Sequence, residues 1–327
     1  MSATQQLNMI QALNLALHDA MKADPKILVL GEEVGDKQEG GIMGVTKGLS
    51  SAYPDRVLAT PIAEQAIIGA AIGAAIGGYK PVAEIMLMNF VTVAMDMIVN
   101  HAAKLRFMSG GRTNVPIVIR TMTGSGFSTG GQHADYLEAW FAHTAGIKVV
   151  APSNPDDAYG LMRAAIDDPD PVLFIEHLPS YWTPGPVTGR IVPLGEAKLA
   201  REGSDVTIIS HSRGVNDSLV AAKNLAEEGI SVEIVDLRTI SPWDRATVLT
   251  SLEKTGRALI VHEAVKQFGI GAEIAAVISE EMWGKLKAPV QRLGAAYAPV
   301  PFSKPLETGF IPSVGDIEAA VRRAMKA

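Results

Sequence analysis

Short uninterrupted apolar runs alternate with segments of helical periodicity along almost the whole chain, and few folds accommodate that pattern. Lys26-Ile27-Leu28-Val29-Leu30, Arg56-Val57-Leu58-Ala59, Pro81 to Met86, Val115 to Arg120, Gly146 to Ala151 and Pro171 to Glu176 read as strands. Their apolar residues are mostly consecutive rather than alternate, so both faces of the sheet must be covered. Between them, Thr4 to Ala23 repeats Met9, Ala12, Leu13, Ala16, Leu17 and Ala20 at helical spacing and stops at Asp24-Pro25. Thr60-Pro61 is placed to serve as N-cap and first residue of a helix running to Gly77-Gly78. Phe90 to Met108 repeats apolar residues at 91, 94, 98, 102 and 105 and closes on Ser109-Gly110-Gly111. Ser153-Asn154-Pro155-Asp156-Asp157 opens another helix with acids in its first turn. The expected class is α/β, a doubly wound parallel sheet.

Leu178 to Pro193 has four prolines, two glycines and little periodicity, and reads as an interdomain connection. The expected organisation is a first domain at 1–180, a linker at 181–195 and a second domain at 196–327. In that second part, apolar runs at 206–210, 231–235, 258–262 and 289–293 alternate with helical patterns. A last helix starts at Ser313, with Asp316 completing a capping box. This reads as a smaller α/β domain.

With 327 residues, 47% of them hydrophobic and 20% charged, the chain can bury a sizeable core. Lys plus Arg is 29 against 35 Asp plus Glu, a formal charge of −6, which argues against nucleic acid as a partner. The absence of cysteine removes disulfides, zinc-thiolate sites, iron–sulfur clusters and cysteine nucleophiles together. The opening Met1 to Gln6 carries neither the basic nor the apolar part of a signal peptide. Ala66 to Tyr79, the longest charge-free apolar run, has 14 residues where a membrane helix needs ~20. The expectation is a soluble, cytoplasmic protein without a membrane partner.

Five features could carry chemistry. Gly126-Phe127-Ser128-Thr129-Gly130 is a formal GxSxG, but a hydrolase elbow needs a strand, a sharp turn and a helix, and here the serine sits in a Gly/Ser/Thr loop. Gly269-Ile270-Gly271 lacks the third glycine of a dinucleotide fingerprint, and the chain contains neither a P-loop nor a Gly-Asp-Gly. Glu64 sits near the start of an Ala/Gly/Ile helix that is apolar all round, which implies deep burial. A carboxyl there is either a dipole-favoured surface acid or a desolvated group fit to share a proton. Gly69, Gly73 and Gly77 form a stripe that lets another helix approach, within the domain or across subunits. Gln132-His133-Ala134-Asp135 offers a histidine after a glycine-rich loop, a candidate acid/base or a surface side chain. The other histidines have no metal-ligand spacing, which argues against a transition-metal site.

Taken in order, further segments assemble into a resemblance that covers nearly the whole chain. They are Leu30-Gly31-Glu32-Glu33-Val34-Gly35, Gly44 to Leu49, Thr60-Pro61-Ile62-Ala63-Glu64, Gly77 to Val82, Asn89-Phe90, Ala103-Lys104, Met108 to Gly111, Val115 to Val118, Gln132-His133, Asp168-Pro169-Asp170-Pro171, Asp236 to Ile240 and Phe268 to Glu273. The chain resembles the beta subunit of the decarboxylating first component of 2-oxo acid dehydrogenase complexes, transketolase-like enzymes that use thiamine diphosphate. The resemblance implies a pyrimidine-binding domain followed by a transketolase C-terminal domain. It implies an alpha subunit that carries Gly-Asp-Gly, magnesium and the diphosphate, in an α2β2 heterotetramer serving a lipoyl-bearing acyltransferase core. Glu64 then looks like the carboxylate that hydrogen-bonds a pyrimidine nitrogen and favours the imino tautomer, Phe90 like the aromatic packed on the aminopyrimidine, and His133 like the histidine that assists acyl transfer to lipoamide. Glu33 and Ile62 match further wall positions. Some members hold potassium through main-chain carbonyls, and the matching positions are Ile117, Ala165, Ile166, Asp168 and Asp170.

Departures fall at Ala134-Asp135, where the family commonly has Ser-Gln, at Gly124 to Gly131, and at Leu178 to Thr188. They touch the substrate side, while Gly40 to Leu49 looks closer to acetoin-cleaving members. The leading expectation is a 2-oxo acid or acetoin dehydrogenase beta subunit. The alternatives are a two-chain carboligase with an aldehyde acceptor, a serine hydrolase using Ser128, and a non-catalytic scaffold.

Overall fold

The computed structural model describes residues 4–326. It separates into two compact units, one from the chain up to Thr123 with Trp140–Leu194, the other from Gly124–Ala139 with the chain from Gly195 onward.

The first unit opens with β1 (Gln5–Asn8) and α1 (Met9–Ala23). Asn8 accepts the Gln11 N–H while the Gln11 side chain accepts the Asn8 N–H, a reciprocal pair that satisfies two of the donors at the helix start. Then come β2 (Ile27–Gly31), α2 (Leu49–Ala52), β3 (Val57–Ala59), α3 (Glu64–Ile76) and β4 (Lys80–Leu87). They are followed by α4 (Met88–Val91), α5 (Ala103–Met108), β5 (Val118–Thr123), α6 (Glu138–Ala142, whose first two residues belong to the second unit), β6 (Lys148–Val150), α7 (Pro155–Asp167), β7 (Val172–His177) and β8 (Pro184–Val187). Six parallel strands run in the order β6-β7-β5-β4-β2-β3. Every residue of β5 and β7 is buried, as expected for strands covered on both faces. α1 packs against α7, and α3 against β4 and residues 92–102.

Three local departures have physical causes. The Thr60 N–H bonds to the Gly31 carbonyl and prolongs the sheet, so Thr60-Pro61 stays extended and α3 starts at Glu64. The expected helix over 90–108 is α4, one 3₁₀ turn (Thr92–Ala94), a π-helical stretch (Met97–Ala102) and α5. The Thr92 hydroxyl donates to the Asn89 carbonyl and competes with the regular ladder there. β8 lies inside the stretch read as a connection and pairs antiparallel with β1.

The second unit holds β9 (Lys198–Arg201), β10 (Val206–Ser210), α8 (Arg213–Glu227), β11 (Val232–Asp236), β12 (Thr239–Ser241), α9 (Arg245–Thr255) and β13 (Ala258–Val265). It ends with α10 (Ile270–Glu281), β14 (Gln291–Ala295), α11 (Lys304–Thr308) and α12 (Val314–Lys326). Its sheet runs β14-β13-β10-β11-β9, antiparallel only at β9. α8 and α12 close one side over Val206, Ile208, Ile234 and Leu259.

Candidate active site

In the first unit the candidate residues gather at the end of β2 and the start of α3. Glu64 opens α3 and is 9% exposed. Glu32 follows β2 directly and is buried as well. Burial pushes the Glu32 carboxyl up, and the neighbouring Glu64, Glu33 and Glu84 carboxylates add to it. Glu33 turns outward, with φ 56°, so the inward acid of the pair is Glu32. Sequence reading named Glu33 and passed over Glu32. The left-handed turn that decides which one faces in has no mark in the side chains. Ile62 is 82% exposed, and Phe90 is half-buried in α4. Gly31 is required beside these acids: a Cβ there would lie 2.6 Å from the Glu84 carbonyl oxygen.

Behind them lies a cluster that sequence reading missed. Arg120 on β5 is buried between Glu84 on β4 and Glu176 on β7, with its Nε 2.7 Å and one Nη 2.8 Å from the two Glu176 oxygens. The Tyr181 hydroxyl donates to the same Glu176. Burial pushes the Glu84 carboxyl up, against the pull of the Arg120 guanidinium. Charges on three adjacent buried strands form a fixed polar floor under the sheet.

α3 is less enclosed than its composition implies. Ile67, Ile68, Ala71, Ile72 and Ala75 are buried, while Ala66, Ala70, Gly73, Ile76 and Gly77 are exposed in the single chain. Gly69 faces the Met97 sulfur, but a Cβ on Gly73 would meet nothing within 4 Å. A second helix segment adds exposed Val93, Phe107 and Met108.

The five carbonyl positions lie around one loop. The Ile117 carbonyl accepts the Val172 N–H at 2.9 Å, the Ala165 carbonyl accepts the Asp168 N–H at 3.3 Å, and the Val115 N–H donates to Pro169. The Asp168 carboxylate is paired with Lys148 at 2.6 Å and that of Asp170 with Arg106 at 2.7 Å. The Asp168 and Asp170 side chains are thus engaged by cationic side chains of the chain itself. Among the described residues no group of three or more His, Asp or Glu could hold a metal ion.

His133 and Ser128 belong to the second unit. The His133 N–H donates to the Gly130 carbonyl at 3.1 Å, and Ala134 is buried with Ala295, Val300, Phe310 and Ile311. Ser128 lies in a loop between β5 and α6, far from a strand–turn–helix elbow, which removes the hydrolase reading. The glycines at 269 and 271 serve packing. A Cβ at either would lie 2.8 Å from the buried His262 ring.

The comparisons agree with this architecture. A transketolase pyrimidine-binding domain matches residues 5–182 and a transketolase C-terminal domain residues 195–317. The chain is 45% identical to the beta subunit of acetoin:2,6-dichlorophenolindophenol oxidoreductase from Cupriavidus necator, covering 98% of both chains. It is 44% identical to a mitochondrial pyruvate dehydrogenase E1 component subunit beta-2 from Oryza sativa, covering 99% of this chain and 87% of that one. Among solved structures it superposes on a split-gene transketolase, described as an inactive beta4 tetramer, with a TM-score of 0.82 at 24% identity, covering 98% of each chain.

Proposed function

The chain belongs to the transketolase-like, thiamine-dependent family, among the 2-oxo acid and acetoin dehydrogenase beta subunits, and from that membership we propose that it supplies the pyrimidine side of an active site completed by an alpha subunit. The reaction is decarboxylation of a 2-oxo acid or cleavage of acetoin, with the acyl group passed to a lipoyl disulfide. The observation that carries this reading is Glu64, buried at the head of α3 beside a second buried acid, in a chain matched end to end.

The donor set fits the cofactor's aminopyrimidine: carboxyl groups in a water-poor setting favour a basic ring nitrogen, and Phe90 offers an aromatic face. Thiamine diphosphate, when bound, supplies the electron sink. Glu64 presents a carboxyl oxygen that can hold the proton shared with the ring nitrogen. Glu32, whose carboxyl is pushed up by burial and by the carboxylates around it, is the second buried acid beside Glu64. Ile62 and Glu33 form an outer wall, and His133 serves the acceptor. Magnesium and the diphosphate fall to the alpha subunit, consistent with a chain that contains no Gly-Asp-Gly. Potassium would be held by the carbonyls of Ile117, Ala165, Ile166, Asp168 and Asp170. We further assign an α2β2 assembly on a lipoyl-bearing acyltransferase core, a cytoplasmic location, and domains at 1–180 and 196–327 joined by 181–195.

The test co-expresses the chain with the alpha subunit encoded beside it. Thiamine diphosphate binding and ferricyanide reduction are measured with pyruvate, branched 2-oxo acids and acetoin, for each chain alone and for the mixture. Activity confined to the mixture is expected, and the best substrate names the enzyme. Glu64→Gln should assemble normally and lose at least ~100-fold in turnover. Full activity in that variant, or no cofactor binding in any combination, would overturn the reading.

A further inference from the structure

The loop that precedes His133 carries three glycines and three hydroxyl residues in Gly124 to Gly130, a composition that promises mobility. The structure instead ties down four of its seven residues, from elements more than a hundred positions away. Glu307 of α11 is 2% exposed. One oxygen of its carboxylate accepts the Gly126 N–H at 2.6 Å and the Ser128 N–H at 3.0 Å, and the other lies 3.4 Å from the Ser128 hydroxyl. Lys304, one turn earlier, donates to the Gly126 carbonyl at 2.5 Å and pairs with Glu307 at 3.3 Å. Gly126 is thus gripped at both of its main-chain groups by one Lys-Glu pair. Glu263 at the end of β13 accepts the Ser125 N–H at 2.6 Å. Phe302 lies over Gly130, where a Cβ would come within 2.3 Å of its ring.

The grip extends to the histidine itself. The Gly130 carbonyl closes a turn on the His133 N–H, and Ala134 is sunk in the apolar cluster with Val300 and Phe310. Gly130 and Gly131 before His133 and Ala134 after it therefore lie against the segment 295–311. The cost of ordering a glycine-rich loop, and of holding Ser128 at φ 56°, is offset by charge-assisted bonds from carboxylates. Burial pushes the Glu307 carboxyl up, but the Gly126 and Ser128 N–H groups and Lys304 outweigh it and hold it below the ordinary carboxylate range. Glu307 is therefore ionised across the working range of pH.

We propose that the Lys304–Glu307 pair is a positioning device that holds His133 in register for acyl transfer, an inference that rests on the acceptor role assigned to His133 above. In that transfer the carbon oxidised to the acyl level bonds to one sulfur of the lipoyl disulfide. The S–S bond breaks, the disulfide takes up two electrons, and the departing thiolate receives the proton that His133 delivers. Proton delivery depends steeply on distance, so a loosened loop should slow this step and spare decarboxylation.

The test uses the assembled enzyme with the alpha subunit and a free lipoylated domain as acceptor. Acyl transfer and ferricyanide reduction are measured side by side for wild type, E307Q, K304M, H133A and the E307Q/H133A pair. Hydrogen exchange is followed over 124–135. E307Q should lower acyl transfer by about tenfold or more while ferricyanide reduction stays within about twofold, with faster exchange in the loop. K304M should move both readouts the same way by less. The pair should be no worse than H133A alone, because both act on one group. H133A that loses transfer while E307Q and K304M keep it overturns the clamp alone. H133A that keeps transfer overturns the role of His133, and the proposal with it. Equal loss of both activities in E307Q, or additive losses in the pair, reduces Glu307 to general support of the fold and overturns the proposal.

Discussion

Glu138 is a titratable side chain at odds with its surroundings. It is fully buried at the start of α6, and neither carboxyl oxygen has a protein hydrogen-bond partner among the described residues. Burial and the nearby Glu263 carboxylate push it up to about 8. The unfolded chain ionises it near 4.5, so between those values unfolding releases a proton. The stability that Glu138 contributes is then present below about 4.5 and lost as pH rises toward about 8, by roughly 3–5 kcal/mol over the whole window. His262 has the opposite sign: burial lowers it to about 4, so its contribution is present above about 6.5 and fades as pH falls. Glu138→Gln mimics the neutral acid. It should match wild type in urea unfolding at pH 5 and exceed it by several kcal/mol at pH 8.5; a difference independent of pH would show that Glu138 is not the group responsible. The sequence made Glu64 readable because an acid interrupts an apolar helix, but Glu138, Glu32 and Arg120 look like ordinary charges until distant strands enclose them.

At the level of elements, α3 has two faces that composition alone could not separate. Its residues are apolar all round, which suggested burial all round, yet its Ala66-Ala70-Gly73-Gly77 edge is open in the single chain. Gly73 therefore costs helix stability without any packing return inside the unit. Gly73→Ala should raise the stability of the isolated chain by ~0.5–1 kcal/mol. If the stripe is spaced for close approach of another subunit, the bulkier Gly73→Leu should weaken assembly with the alpha subunit, as read by sedimentation. Gly271→Ala makes the contrast, because His262 fills the space and the expected loss is ~1–3 kcal/mol. Strands showed the same divide. The apolar runs placed the six parallel strands, since burial on both faces writes itself into composition. The β1–β8 pair escaped notice because Gln5–Asn8 is mostly polar and Pro184–Val187 contains two prolines, so neither carries a strand's pattern. β5 begins at Val118 rather than Val115 because Val115 and Ile117 spend their N–H groups on Pro169 and on a local turn.

For the whole molecule, the unsatisfied quantity is apolar surface. Ile62, Ile76, Val93, Phe107 and Met108 are all more than 40% exposed in the first unit, and Phe107 is 91% exposed. Single exposed apolar residues are normal, but Ile76 on α3 and Val93 on the turn that packs against α3 lie on neighbouring elements, and Phe107 and Met108 follow on α5. A beta subunit is one half of an enzyme, and surface that water covers in the isolated chain is available to the alpha subunit. A partner that binds only the folded chain stabilises it by mass action, about 2.7 kcal/mol at a hundredfold excess over its dissociation constant. For a unit of this size each kcal/mol is worth ~2–4 °C in the unfolding midpoint. Titrating the alpha subunit into the isolated chain should therefore raise the midpoint by roughly 5–10 °C, with a concentration dependence that a change of buffer or salt alone would not reproduce. Phe107→Asp should fold and shift the midpoint little in the absence of the alpha subunit, because the ring it replaces already stands in water. In its presence the variant should lose most of the rise, since an unpaired carboxylate would be carried into the buried contact. A midpoint indifferent to the alpha subunit, or a full rise in Phe107→Asp, would place the shared surface elsewhere on the chain.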